Sequence, residues 1–160
     1  EASAMEFKVG QIFATDEEKL QVAIAEAHLG LAEGGIPIGA ALFDEEGRLL
    51  GSGRNRRVQD GDASMHGETS AFRNAGRQRS YRKVTLATSL SPCWYCSGLI
   101  RQFGIGRVLV GDDKNFMGGQ DWVAEHGAEV HVMNDPGLIK LMADFIENND
   151  ALWNEDIGED

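Results

Sequence analysis

Cysteine is almost absent. The 160 residues contain two, Cys93 and Cys96, both in a single C-x-x-C. That argues against a disulfide-stapled secreted scaffold and fits a reducing compartment, the cytoplasm. Long apolar runs are missing too, so no stretch reads as a membrane span. The opening Glu1-Ala2-Ser3-Ala4-Met5 lacks the basic and apolar regions of a signal peptide. Met5, after small residues, reads as a natural start behind an added remnant. Basic residues are scarce: 15 Lys and Arg stand against 26 Asp and Glu, a net charge of −11. Because nucleic-acid affinity rests on neutralising phosphates, this balance argues against a polyanionic partner. The basic clusters are Arg54, Arg56 and Arg57, and the run from Arg73 to Lys83.

What remains is an ordinary globular composition, 42% hydrophobic, at a length that suits one domain with a real core. Residues 1–15 read as an irregular lead-in and 16–160 as one domain. Asp16 is the expected cap of a first helix, with Leu20, Ile24, Ala27 and Leu31 as its apolar stripe and Gly34-Gly35 as its stop. Strands are expected at 37–44 and 48–54, joined by the turn Asp44-Glu45-Glu46-Gly47. A helix at 65–74, a strand at 84–89, a helix from Pro92 to Phe103 and a strand at 106–111 follow. A short helix at 120–125, a strand at 129–133 and a helix opened by Asp135-Pro136 complete the series, with Leu138, Leu141, Met142 and Phe145 as the last helix's apolar face. Alternating strands and helices predict an α/β protein with a sheet covered on both faces.

Two short stretches carry the chemistry: His66-Gly67-Glu68 and Pro92-Cys93-Trp94-Tyr95-Cys96. Zinc takes thiolate and imidazole ligands, and a catalytic zinc site has three protein ligands and leaves its fourth position to water. His66, Cys93 and Cys96 supply three. Glu68 is then free to move protons between water and substrate. Cysteines three apart at a helix start share one face, and the helix N-terminus favours their thiolate form. H-x-E followed by P-C-x-x-C is the signature of zinc nucleobase deaminases. Taken alone, the C-x-x-C has a redox reading, which the accompanying H-x-E makes roughly a one-in-twenty alternative. A structural zinc site in a non-enzymatic interaction module would want a fourth ligand, for which His28, His126 and His131 are the candidates.

On these motifs the chain resembles the cytidine deaminase superfamily, and within it the small fungal-type zinc cytosine deaminases that act on the free base. Gly34-Gly35-Ile36-Pro37-Ile38-Gly39, Asn115-Phe116 and the tail from Trp153 to Glu159 extend the similarity over nearly the whole chain from Glu18. The resemblance implies a three-layer α/β/α sandwich with a mixed five-stranded sheet, one Zn2+ per subunit, a homodimer and a C-terminal cap at 150–160. It implies conversion of cytosine to uracil, with isocytosine, guanine or an amino-triazine as alternative substrates. By the same resemblance Asn55 and the Gly67 N–H would hold the pyrimidine carbonyl. The Ser91 carbonyl and Asp156 would receive the exocyclic amine, and Phe116, Trp153 and Ile157 would wall the pocket. One departure stands out: Trp94-Tyr95 lies between the cysteines, where the fungal-type pattern has Asp-Met. Those aromatics are expected to reshape either the pocket or the dimer interface.

Overall fold

A computed structural model describes residues 7–159. The first helix, α1, spans Asp16–Ala32, and its cap is Thr15 rather than Asp16. The Thr15 hydroxyl accepts from the Glu18 N–H at 3.1 Å, and the Thr15 N–H donates to the Glu18 carboxylate at 3.2 Å. This reciprocal box satisfies two orphan N–H groups. A cap at Asp16 would place Lys19 at the third position, where it could not return the bond. The expected stripe is also displaced: Leu31 is 40% exposed, while Leu20, Ala23, Ala27 and Gly30 are buried. The small residues face inward because α1 packs nearly backbone to backbone on the first strand. A Cβ on Gly39 would lie 2.3 Å from the Ala23 carbonyl oxygen.

That strand, β1 (Gly39–Phe43), pairs antiparallel with β2 (Leu49–Arg54) across the predicted turn. A one-turn helix, α2 (Arg57–Asp60), follows, then α3 (Gly67–Ala75), β3 (Thr85–Thr88), α4 (Trp94–Phe103), β4 (Arg107–Val110), α5 (Gln120–Glu125), β5 (Glu129–Val132), α6 (Pro136–Asn148) and α7 (Asp150–Ile157). The sheet order is β2-β1-β3-β4-β5, with β1 antiparallel to β3 and the β3-β4 and β4-β5 pairs parallel. Sequence analysis missed α2, because four residues are too few to show a helical period.

Side chains alternate across the sheet as strand geometry requires. Ala40, Leu42, Leu86, Val108 and Val110 pack with Ala71 of α3, Ile100 of α4 and Val123 of α5. Ala41, Phe43, Ala87 and Leu109 pack on the other face with Leu20 and Ala23 of α1 and Leu138 of α6. The three-layer α/β/α expectation is thus met, with a mixed five-stranded sheet. Before α1, Phe13 is buried against Phe43, and Ile12 bridges to Arg48, so this irregular segment is tied to the hairpin. A third apolar cluster, including Ile38, Leu90, Met142, Phe145 and Trp153, lies at one end of the sheet. The motif residues converge there.

Candidate active site

The parallel strands β3 and β4 end beside the start of β1, which runs the other way. Chain leaving β3 passes through Leu90 and Ser91 and reaches Cys93, the residue capping α4; His66 caps α3 in the same way. At a cap the backbone is still extended, so each side chain projects past the helix end instead of along its flank. The start of α3 is pinned from two sides. Thr69 Oγ1 accepts from the His66 N–H at 2.8 Å. Gly67 lies so near β1 that a Cβ there would be 3.2 Å from the Ile38 carbonyl oxygen.

The outcome is a cluster of three donors. His66 Nδ1 is 3.5 Å from Cys93 Sγ and 3.7 Å from Cys96 Sγ, and the ligand atoms all lie within 4.8 Å of one another. A tetrahedral zinc with bonds of about 2.3 Å to sulfur and about 2.0 Å to nitrogen spreads such ligands about 3.6 Å apart. The three residues are therefore positioned to bind one metal ion through Nδ1 and two sulfurs. Among the described residues this is the single cluster of three or more His, Cys, Asp and Glu residues suited to a metal. His28, His126 and His131 stand outside it, which removes the fourth-ligand candidates of a structural site.

Electrostatics in the cluster follow from burial and mutual contact. Cys93 is held down to about 4, first by the hydrogen bond from Cys96 and then by His66, against the effect of burial. Cys96 is pushed well up by its bond to Cys93 and by burial. For His66, burial works downward, but Cys93 and the Glu68 charge outweigh it and raise the group to about 9. Glu68 is buried and pushed up to about 7 by that burial and by the Cys93 thiolate, with His66 acting the other way. Thiolate and carboxylate thus crowd one place, and a dication there would relieve both.

Glu68 looks into a small pocket that it lines with Ile38, His66, Leu90, Ser91, Cys93, Phe116, Trp153, Asp156 and Ile157. Six of the seven residues expected around the substrate meet here or directly behind. Phe116 and Trp153 pack edge to face at 5.7 Å. The Ser91 hydroxyl is turned away and donates to Gln120 at 2.7 Å, and among the described residues no protein donor reaches the Ser91 carbonyl. Asn55 is fully buried one layer back, its Nδ2 directed at Asp156 at 3.3 Å. Gly67, the seventh, is the first residue of α3, and its N–H has no partner within the helix.

Several residues of the site escaped the sequence reading. Arg57, named above only as part of a basic cluster, is mostly buried and donates to Asp156 at 2.8 Å. Arg54 likewise clamps α1 through Glu26 and Glu33 at 2.7 and 2.8 Å. Asp112 is fully buried; it accepts from the N–H groups of Lys114 and Asn115 and from the Asn115 amide, and so shapes the loop that carries Phe116. An Asp directly after a buried strand, followed by polar residues, was the available signal for that turn. The aromatics between the cysteines do not enter the pocket beside Glu68. Trp94 is 65% exposed and packs on Trp122, while Tyr95 sets its ring edge against His66 at 5.0 Å and donates its hydroxyl to the Ser64 carbonyl. Both do wall the adjoining cavity together with His66, Cys93, Phe116, Asp156 and Ile157, so they belong to the outer part of the site.

Residues 13–112 match the model of the cytidine and deoxycytidylate deaminase zinc-binding region. The chain belongs to this zinc-dependent deaminase family. It is 44% identical over 146 residues to the cytosine deaminase of Candida albicans, covering 90% of this chain and 97% of that one. A tRNA-specific adenosine deaminase of Haemophilus influenzae is 34% identical over 99 residues, covering 60% of this chain and 57% of its own. Among solved structures, the guanine deaminase from Nitrosomonas europaea shares the fold with a TM-score of 0.72 at 19% identity, covering 90% and 89% of the two chains. The protein is thus a zinc hydrolase of amino heterocycles, with His66, Cys93 and Cys96 positioned to bind its metal ion.

Proposed function

We propose that the protein converts free cytosine to uracil and ammonia. The observation that carries this reading is α7. Trp153, Asp156 and Ile157 of that helix close the pocket over Glu68 and leave room for a small planar base, not for a polymer. The likeness to a cytosine deaminase covers 90% of this chain and 97% of that one, whereas the match to the tRNA deaminase covers 60% and 57%. The charge balance agrees, since the net charge is −11 and Arg54, Arg56 and Arg57 are each engaged by carboxylates.

Bound zinc supplies the acidity that makes water a nucleophile at neutral pH. The rest falls to side chains. The Gly67 N–H and the Asn55 amide offer two donors for the ring carbonyl. The Ser91 carbonyl and Asp156 accept from the exocyclic amine, which aims the amine-bearing carbon at the metal. Phe116, Trp153 and Ile157 sandwich the ring and exclude bulk water. Glu68 takes a proton from water and passes it to the ring nitrogen, then takes the proton of the hydroxyl newly attached to the ring carbon and passes it to the departing amine. A C–O bond forms, the C–N bond breaks, and one water is consumed for each ammonia released.

Trp94, Tyr95, Phe103 and Met117 are large apolar side chains left 65%, 50%, 46% and 49% exposed, more than an isolated surface would favour. They support a homodimer paired through the α4 face. Paired thiols held for a metal suit a reducing cytoplasm, and recovery of free pyrimidine bases is the matching role. The test is ammonia release by zinc-loaded protein from cytosine, isocytosine, guanine, adenine, cytidine and an amino-triazine. Turnover of cytosine above the others supports the reading; turnover of a different base alone moves the substrate, and none at all rejects it.

A further inference from the structure

Asp156 and Arg57 form a buried ion pair that touches the pocket from one side only. The Asp156 side chain is 4% exposed and that of Arg57 17%. Arg57 Nε donates to Asp156 Oδ1 at 2.8 Å, and its Nη1 donates to Glu155 Oε2 at 2.8 Å. Asn55 completes the arrangement. Its Oδ1 accepts from the Arg57 N–H at 3.0 Å, which turns its Nδ2 toward the carboxylate, 3.4 Å from Oδ1 and 3.3 Å from Oδ2. Oδ1 is therefore committed to Arg57, and Oδ2, with a single long contact, keeps lone pairs for whatever fills the pocket.

We infer that Arg57 is a positioning residue that presents Asp156 as an acceptor-only carboxylate, and so makes the pocket prefer an amino base over the oxo base formed from it. This rests on the proposed reading in which Asp156 receives the exocyclic amine. A carboxylate can only accept hydrogen bonds, whereas a carboxylic acid or an amide can also donate. An amino group offers N–H and is matched. The oxo group that replaces it offers lone pairs, which face the carboxylate's own and are repelled. Recognition changes sign at the moment of reaction, and the product is expelled from the side where the substrate was held. Without the guanidinium, the buried carboxylate is left uncompensated. It then turns away from the pocket, and the distinction between the two bases is lost. Arg57 never touches the base in this scheme.

The test is binding, kept apart from turnover by working in a zinc-loaded Glu68→Gln background. Calorimetry reads the affinities for cytosine and uracil, with 5-methylcytosine and thymine as a second pair, for the parent, Arg57→Gln and Glu155→Gln. The parent is expected to prefer the amino base, and Arg57→Gln to lower the ratio of amino to oxo affinity about tenfold, the weight of one charge-assisted hydrogen bond. Glu155→Gln loosens the exposed half of the fork and should leave the ratio alone. Equal weakening of both bases in Arg57→Gln would mean that Arg57 merely fastens α7, and would overturn the inference, as would a parent with no amino preference. If Arg57→Gln does not fold, Asp156→Asn decides: an amide that can donate must lose the preference, and retention overturns the proposal. Failure of the wild type to release ammonia from cytosine rejects the functional reading instead, and is read in a separate experiment.

Discussion

Cys93 Sγ and His66 Nδ1 lie 3.5 Å apart, although 27 positions separate them in the chain. Each caps a different helix, and the two helix ends meet because α3 and α4 pack on the same face of the sheet. With Cys96, which follows one helical turn later, they define one face of a tetrahedron.

Removal of one ligand should therefore abolish tight metal binding. Cys93→Ala or Cys96→Ala is expected to reduce zinc from one equivalent per chain to near background by elemental analysis. The wild type should also lose thermal stability on chelation, since a metal that binds only the folded chain stabilises it by mass action. Zinc retained at full stoichiometry in either variant would contradict the ligand set.

Packing in the core and packing in the pocket separate by mutation. Leu109 is fully buried between the sheet and α1 and α6. Leu109→Ala should cost roughly 2–5 kcal/mol of stability with the KM for substrate unchanged. Trp153 packs on Phe116 across the pocket. Trp153→Ala should cost about 3–5 kcal/mol and also raise KM. Chemical denaturation paired with steady-state kinetics checks both, and a Trp153→Ala enzyme with wild-type KM would remove α7 from the binding site.

Acid stability offers a test distant from the metal. Hydrogen bonds from Arg54, and after them from Gln59, hold the Glu33 carboxyl down to about 2 from its ordinary 4.5. A depressed carboxylate stabilises the fold fully above pH 4.5, and that contribution fades as pH falls toward 2. Glu33 is 37% exposed, so solvent screening keeps the effect small. Glu33→Gln should lower stability at neutral pH and narrow its gap to wild type between pH 4.5 and 2 in acid denaturation followed by circular dichroism. A gap that widens on acidification would contradict the ion pair.

The zinc site was legible because its information is local. H-x-E and P-C-x-x-C fix ligand types and spacing within five residues each, and the alternation of β1, β3 and β4 exposes the layers. What stayed hidden depends on long-range assembly. Arg57 and Asp156 are 99 positions apart, and nothing in Asn55-Arg56-Arg57 foretells a buried carboxylate opposite. Leu31 was misassigned because the helix face is chosen by how closely β1 approaches Ala23 and Ala27, which a hydrophobic period does not encode. Thr15 is different: the Thr15-x-x-Glu18 box was present in the sequence, and Asp16 drew attention from it.

Nucleic-acid binding should be weak. Arg54, Arg56 and Arg57 are neutralised by Glu26, Glu33, Asp60, Glu155 and Asp156. A tRNA or single-stranded RNA probe in a mobility-shift assay at physiological salt is expected to show no shift at micromolar protein, where non-specific binders still engage. A salt-sensitive micromolar complex would contradict the assignment to a free base.

The central claim is that Glu68 carries protons beside a metal it does not bind. Zinc content and ammonia release from cytosine, measured side by side for wild type and Glu68→Gln, test it most directly. The account predicts equal zinc in both proteins and turnover lower by at least about 10²-fold in the variant, the usual weight of a general acid–base. Loss of zinc from the variant, or activity near that of the wild type, would contradict it.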